Sequence, residues 1–166
     1  FFVVVPPGQI ACIHDLGRGV LPKVFKPGLH FKIPFWQIAK LFNSQILEFS
    51  ISDNFILTDK EALGSRAINA ITADNKEVSV EGSILFRIDK ENAFEIWENI
   101  GEEFVSKVVR PLTTSRILAI LSEFSLSQLN SQRRDFEYKV KELLVKDFEY
   151  KGLICEGFLL TEIKEK

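Results

Sequence analysis

Cys12 and His14 come closer to a catalytic pair than any other residues of this sequence. They are two positions apart within Gln9–His14, an apolar segment that predicts a β-strand, so their side chains share one face of that strand. Acyl transfer would also require an acid that orients the base and donors that stabilise an oxyanion, and no G-x-S-x-G nucleophile elbow occurs. We therefore expect a domain without catalytic residues, in which Cys12 is a small core side chain.

The sequence also lacks the patterns of a metal or nucleotide site. It contains 2 histidines and 2 cysteines, with no C-x-x-C spacing and no carboxylate cluster at ligand spacing. Gly17 and Gly19 form a G-x-G pair, but Pro22 stands where a nucleotide loop would have its third glycine. We expect no metal and no cofactor, and we interpret the glycine pair as a turn.

Composition and charge indicate which kinds of partner the protein is suited to bind. The net charge of -2 at pH 7 argues against bulk electrostatic binding to nucleic acid. Residues 1–43 nevertheless carry a net charge of +4, from five basic residues and one acidic residue, which leaves -6 for the remainder. Apolar residues make up 46% of the 166 residues, which is enough for the core of one domain. No run of 18 apolar residues occurs, so no segment predicts a transmembrane helix.

The segment from Ile68 to Ile88 has the clearest structural pattern. Apolar residues or glycine occupy every second position from Val78 onward, which is the alternation of a strand with one buried face. A shorter alternating run precedes it, and Ala73–Lys76 between them contains Asp and Asn, which tolerate the left-handed backbone of a turn. We predict an antiparallel hairpin.

Further short strands are predicted on either side of turns in the first half of the chain. The run Phe1–Val5 suits either a first strand or the stump of a membrane anchor. A polar connection is expected from Ser52 to Arg66. The other predicted strands are Gln9–His14, His30–Ile33 and Gln45–Ile51.

After Lys90 the apolar period becomes helical. We predict one helix from an Asp89 N-cap to Gly101, and a second over 102–124, kinked or broken at Pro111 because proline lacks an amide donor. A third helix, capped by one of the serines at 125, 127 and 131, would extend to about Tyr150. A closing strand over 153–163, bulged or bent at Gly157, would complete the domain.

These elements predict an α+β fold, with a bent antiparallel sheet from the first half and a helical layer from the second. Two sublobes would meet near Lys90. The segment Thr72–Ile88 resembles the central strand pair of the stomatin, prohibitin, flotillin and HflK/C group, also called the SPFH or band 7 family. The sequence P-G-L-H-F-K-I-P at 27–34 is also similar to this family. The segments from Trp97 onward resemble one branch of it, the prohibitins.

The resemblance extends from about Pro6 to Lys164 and implies an SPFH domain over 1–166, with a membrane-proximal, β-rich sublobe at about 1–89 and an α/β-rich one at about 90–166. It implies a non-enzymatic, membrane-associated scaffold that oligomerises into rings or cages, organises membrane microdomains and modulates membrane proteins such as AAA proteases or channels. The implied location is a bacterial or archaeal plasma membrane or the mitochondrial inner membrane. Because the chain contains no methionine, we expect a fragment that lacks the family's N-terminal anchor and C-terminal coiled coil.

Two features predict a membrane contact in the first half of the chain. Its apolar side chains are too crowded to fit on one face of a core, and its lysines could bind anionic lipid headgroups. Alternatively, Trp36 caps the core and Phe1–Val5 pairs as an edge strand. The expected membrane-contact residues are Phe1, Phe2, Val3, Val4, Val5, Phe31, Ile33, Phe35, Trp36, Ile38, Lys23, Lys26, Lys32 and Lys40.

The polar face of the third predicted helix alternates in charge sign. Most such faces are only solvated, but the pattern also suits packing of identical or related subunits. The expected interface residues are Arg133, Arg134, Glu137, Lys139, Glu142 and Lys146. Most of the oligomerisation energy would lie in a coiled coil after Lys166. The alternative function is a soluble interaction or ligand-binding domain on the same frame.

Overall fold

The computed structural model of the protein describes residues 1–55 and 63–166. Its strands are β1 (Phe2–Val5), β2 (Gln9–Asp15), β3 (Gly19–Phe25), β4 (Gly28–Phe31), β5 (Gln37–Asn43), β6 (Leu47–Ile51), β7 (Gly64–Ser65), β8 (Ile68–Ile71), β9 (Glu77–Ile88) and β10 (Leu153–Glu165). Its helices are α1 (Ala93–Asn99), α2 (Arg110–Leu121), α3 (Leu126–Ser131) and α4 (Arg133–Glu149), and a π-helical turn, Val105–Val109, precedes α2.

The strands of the described residues form three sheets, where the sequence predicts a single bent one. β1 pairs with β4, β2 lies between β3 and β5, and the largest sheet has the order β10-β9-β6-β7 with β8 also paired to β9. The β6–β7 pair is parallel, and the other pairs are antiparallel. The α+β class is confirmed. The polar connection predicted over 52–66 contains β7, while its residues 56–62 lie outside the described part of the chain.

The predicted central hairpin is confirmed. β8 and β9 pair in the register Ile68 opposite Val80, and Asn75 in the turn has a left-handed φ of 59°. β9 also pairs with β10 over its length, so it is an interior strand. Its polar face is covered as well as its apolar one, because Ser79 and Ser83 are both buried. The alternation indicated one buried face, and neighbouring elements bury much of the other.

Gly82 sets the distance between β9 and β10. A Cβ atom at this position would lie 2.5 Å from the backbone oxygen of Leu159, which is closer than real Cβ atoms approach. The predicted irregularity in β10 is confirmed by a register shift between Cys155 and Gly157, and a second shift lies between Leu160 and Glu162.

The first helix ends before Gly101, as predicted, and this glycine has φ 94°. Asp89 is not its N-cap. The cap position is Asn92, which makes no side-chain capping bond, and the Asp89 carboxylate accepts hydrogen bonds from the amide of Glu91 at 3.1 Å and from Asn92 Nδ2 at 2.7 Å. Asp89 thus stabilises the turn that leads into α1.

The predicted break at Pro111 takes the form of a π-helical turn. The amide of Arg110 donates to the carbonyl of Val105, five residues earlier, and α2 begins at Arg110. Proline in a continuous α-helix would collide with the carbonyl four residues before it. The wider π turn places the discontinuity ahead of Pro111, which then occupies the first turn of α2, where a missing amide costs little.

The third predicted helix is two helices. Ser125 caps α3 through a capping box, in which its Oγ accepts from the amide of Gln128 and the Gln128 side chain accepts from the amide of Ser125. Gln132 then leaves the helical region, with φ -114° and ψ 41°, before α4 begins. A continuous helix from Ser125 is therefore wrong, whereas the alternative that begins after Ser131 and reaches about Tyr150 corresponds to α4.

The two faces of β2 serve two cores. Ile10 and Cys12 belong to the main core, which also contains residues of β9, α2, α4 and β10. Ala11 and Ile13 point the other way, into a small cluster with Val5 and Phe25. β2 therefore joins the main core to the β1–β4 ribbon. This ribbon carries several of the predicted membrane-contact residues.

Candidate functional site

The Cys12–His14 pair has no catalytic environment. Cys12 is fully buried, and burial raises the pKa of its thiol to about 11. Burial likewise raises the pKa of Cys155 to about 11. Such thiols are protonated at neutral pH and are poor nucleophiles. The His14 ring packs edge-on against Trp97 at a centroid distance of 6.1 Å, so its role is packing between β2 and α1.

His30 also has a packing role. Its ring stacks on Phe25 at 4.4 Å, and its Nε2 lies 2.6 Å from the carbonyl oxygen of Lys26. Among the residues that the structure describes, no group of three or more His, Cys, Asp or Glu side chains is arranged to hold a metal ion.

The predicted apolar membrane-contact residues are largely brought together. The ring of Phe1 packs edge-on against Phe35 at 6.3 Å, and Phe2, opposite Phe31 in the β1–β4 ribbon, packs against the latter ring at 5.9 Å. We call this surface the aromatic tip. Its residues, all exposed, are Phe1, Phe2, Phe31, Ile33, Phe35 and Trp36.

The remaining apolar residues of this prediction differ in exposure. Val4 is exposed on β1, and Ile38 is exposed on β5. Val5 is only 2% exposed and Val3 is half-buried, because alternate side chains of β1 point into the small cluster. Val5 therefore does not lie on an accessible surface, contrary to the sequence prediction.

The four lysines of the prediction differ in their contacts. Lys23 Nζ lies 5.3 Å from the centroid of Phe25, and Lys32 Nζ donates to the carbonyl of Gln37 at 2.9 Å. Lys26 and Lys40 form ion pairs with Glu91 and Glu102 of the second half. Such exposed pairs contribute little to stability, so these lysines can exchange partners at modest cost.

Asp15 is a buried polar residue that holds the base of the aromatic tip, and the sequence prediction did not include it. It is 5% exposed, and its carboxylate accepts hydrogen bonds from Gln37 Nε2 at 3.0 Å, the Gly17 amide at 3.0 Å and Trp36 Nε1 at 3.2 Å. The bond from Gln37 is the largest influence that lowers the pKa of Asp15; desolvation opposes it. The sequence feature that could have drawn attention to Asp15 is that it is the one acidic residue of the basic segment 1–43.

The predicted interface on α4 is partly used within the chain. Arg133 donates to the carbonyls of Leu160 and Thr161, and Glu137 Oε1 accepts from the amide of Leu160 at 2.8 Å. These two side chains satisfy backbone groups of β10 at its second register shift. These intrachain bonds would compete with any contact that Arg133 and Glu137 make to a second subunit, so the prediction for these two residues stays a prediction.

The other four residues of that prediction remain at the surface. Lys139 contacts Glu123 at 3.6 Å and lies 5.1 Å from the ring centroid of Phe124. Arg134, Glu142 and Lys146 are exposed, and within residues 1–55 and 63–166 none of these three forms an ion pair.

A cleft of about 400 Å³ lies between β5 and the π-helical turn. Apolar side chains such as Leu41, Phe42 and Phe104 line it, together with Lys40 and Glu102. These two charged residues pair with each other, so neither is directed at a ligand. The cleft thus offers little of the convergent polar chemistry of a small-molecule site.

The course of the chain, from the aromatic tip through the central hairpin to β10, corresponds to a known domain. Residues 3–166 match the SPFH domain / Band 7 family. The chain belongs to this family. Among the helices of the described residues, none combines the length and apolar character needed to cross a bilayer.

Prohibitins are similar to this SPFH domain over nearly all of its length. Prohibitin 1 of Gallus gallus is 28% identical over 159 residues, and "Prohibitin-4, mitochondrial" of Arabidopsis thaliana is 25% identical over 159 residues. "Mitochondrial prohibitin complex protein 1" of Caenorhabditis elegans is 24% identical over 161 residues. Each alignment covers 96% of this chain and 52–53% of the relative. The chain spans about half the length of these relatives.

Proposed function

We propose that this SPFH domain is a non-enzymatic, membrane-associated scaffold module that rests on a bilayer through its aromatic tip. The observation that carries the proposal is the exposure of the tip, where Phe35 is 93% and Phe1 71% exposed. Exposed aromatic side chains concentrated at one end of the β1–β4 ribbon are unfavourable in water and typical of surfaces that meet membrane or protein. Aromatic side chains are favoured at the membrane–water interface, and Trp36 also has a polar indole N–H.

Charge supports a lipid surface as the partner. Lys32 lies within the tip, between Phe31 and Ile33, and Lys23 is exposed on the neighbouring β3. Each basic residue near an anionic leaflet contributes on the order of 1 kcal/mol to binding. Apolar insertion and headgroup attraction would therefore act together at one end of the molecule.

Family membership supports the scaffold role. One relative is named as a protein of a mitochondrial prohibitin complex. We propose that this chain assembles with copies of itself or related subunits into rings or cages that organise membrane microdomains, at a mitochondrial inner membrane or a bacterial or archaeal plasma membrane. A membrane AAA protease or channel is the proposed client, and Arg134, Lys139, Glu142 and Lys146 are the proposed subunit-facing residues.

Co-sedimentation with vesicles of mixed anionic and zwitterionic phospholipid tests the membrane contact. Wild-type residues 1–166 should bind, more weakly at high salt, and Phe35→Ser/Trp36→Ser should lose most of the binding. Tyr138→Ser/Tyr150→Ser is the matched control, because these exposed aromatic residues lie outside the tip, and it should bind like wild type. Equal binding by a folded Phe35→Ser/Trp36→Ser variant would contradict the proposal, and no binding by wild type would favour a soluble interaction domain.

A further inference from the structure

The backbone at Phe35 is unusual for an exposed aromatic residue. Its φ of 61° lies in the left-handed region, which bulky side chains seldom occupy outside constrained sites. Such a conformation persists only where surrounding interactions determine it. The position of this ring, projecting into solvent from the aromatic tip, therefore has a structural cause elsewhere in the protein.

The cause begins with the hydrogen bonds of Gln37, which closes the loop Lys32–Gln37. Its amide donates to the carbonyl of Ile33 at 3.0 Å, and its side-chain Oε1 accepts from the amide of Ile33 at 3.0 Å. Gln37 Nε2 donates to Asp15 Oδ2 at 3.0 Å. One side chain thus closes the loop and connects it to the turn after β2.

Asp15 completes the connection from the opposite side. Its Oδ1 accepts from Trp36 Nε1 at 3.2 Å and from the Gly17 amide at 3.0 Å, and the amide of Leu16 donates to the Trp36 carbonyl at 3.0 Å. The buried carboxylate is therefore shared by the loop and the β2–β3 turn. A charged acceptor forms stronger hydrogen bonds than a neutral one, which suits a residue that holds a strained loop.

We infer that Asp15 is a positioning residue, which holds Phe35 and Trp36 in a lipid-facing geometry before the membrane is reached. This inference rests on the proposed membrane contact. It adds that the hydrogen bonds of Asp15 order the tip before it binds lipid. A loop ordered in advance loses less conformational entropy on binding than a mobile one, so the tip would partition more strongly.

The test is Asp15→Asn in a Trp97→Phe background, where Trp36 is the remaining tryptophan of the two. The substitution leaves the Oδ1 acceptor and replaces Oδ2 with a donor that faces Gln37 Nε2. Without lipid, we expect lower fluorescence anisotropy and easier acrylamide quenching of Trp36. With mixed anionic vesicles, we expect binding to fall several-fold.

A second substitution should restore the bond. Gln37→Glu added to Asp15→Asn gives an acceptor opposite the new donor and retains an acceptor for the Ile33 amide, so both readouts should return toward wild type. Asp74→Asn is the matched control, since this hydrogen-bonded carboxylate lies at the β8–β9 turn, and Trp36 should not respond to it. If Asp15→Asn does not fold, Gln37→Leu provides the same test, because it removes the hydrogen bond between Gln37 and Asp15 at the Gln37 end.

The two readouts separate the two ideas. An unchanged Trp36 anisotropy, or a loosened tip that binds vesicles as well as wild type, would overturn the positioning role. Failure of the double variant to recover would also overturn it. Absence of vesicle binding by wild type would overturn the membrane contact and the lipid-facing part of this inference, while the anisotropy would still show whether Asp15 holds the loop.

Discussion

Two aspartates, Asp15 and Asp74, each join segments that are distant in sequence. The Asp74 carboxylate accepts from Thr72 Oγ1 at 2.5 Å and from the amide of Leu126 at 3.3 Å, so it connects the β8–β9 turn to the start of α3. The Thr72 hydroxyl is the largest influence that lowers the pKa of Asp74. Both carboxylates are thus held in the ionised form by hydrogen bonds that exist only in the folded protein.

The lowered pKa values predict how acid affects folding. A carboxylate with a lower pKa in the folded than in the unfolded state stabilises the fold above the unfolded value, about 3.9, and loses this contribution as the pH falls through the folded value. Asp74→Asn should therefore be less stable than wild type in urea unfolding at pH 7, and the difference should shrink below about pH 4. Glu142→Gln, an exposed control, should show no such convergence. A constant gap between wild type and Asp74→Asn would contradict the ionic role.

At the scale of elements, the pairing of β9 with β10 organises the larger sheet. β9 is paired on both of its sides, and Arg133 and Glu137 of α4 bond to the backbone of β10 at Leu160. The strand and the helix are therefore held together by specific bonds as well as by apolar packing. The close approach at Gly82 lies in the same region, opposite Leu160.

Gly82→Ala should destabilise the protein by about 1–3 kcal/mol, because the added Cβ would overlap the Leu159 carbonyl in a buried site. Gly157→Ala is the matched control on β10, where a Cβ meets no atom within 4 Å, and it should be neutral or slightly stabilising. Thermal and urea unfolding measure both. Equal stability of the two variants would show that β10 shifts freely to accommodate the methyl group.

At the scale of the whole molecule, the described residues include an aromatic tip on the first half of the chain and a mixed-charge face on α4. Arg133 and Glu137 bond to β10, so we propose Arg134, Lys139, Glu142 and Lys146 as the subunit-facing residues of α4. Charged side chains at such a rim guide specificity more than they supply affinity. We therefore expect weak association of this domain on its own.

Analytical ultracentrifugation should find residues 1–166 monomeric or weakly associated. In a longer protein with the coiled coil expected after Lys166, Arg134→Glu/Lys146→Glu should shift the distribution toward smaller species, because like charges would meet across the interface. Lys90→Glu/Lys151→Glu, which reverses two exposed charges elsewhere, should leave it unchanged. A tight ring formed by residues 1–166 alone would contradict this division between domain and coiled coil.

The sequence by itself determined the features that depend on neighbouring residues. Strand alternation and turn residues predicted the β8–β9 hairpin, Gly101 predicted the end of α1, and Pro111 predicted a break. Each follows from local backbone preferences or from an apolar period of two or 3.6 residues. Both depend only on residues within one segment. The aromatic tip was predicted in part, because its residues are too crowded for one strand face.

Only the tertiary structure decided which polar and apolar groups meet across the chain. The division into three sheets depends on pairing between segments such as β6 and β9, and the burial of Val5 depends on the cluster beneath β1. Arg133 reaches Leu160 across 27 residues, and Asp15 reaches Trp36 across 21. Side chains of one type have many potential partners at such separations, and packing of the whole chain selects the partner, since a buried charge is stable only where donors converge on it.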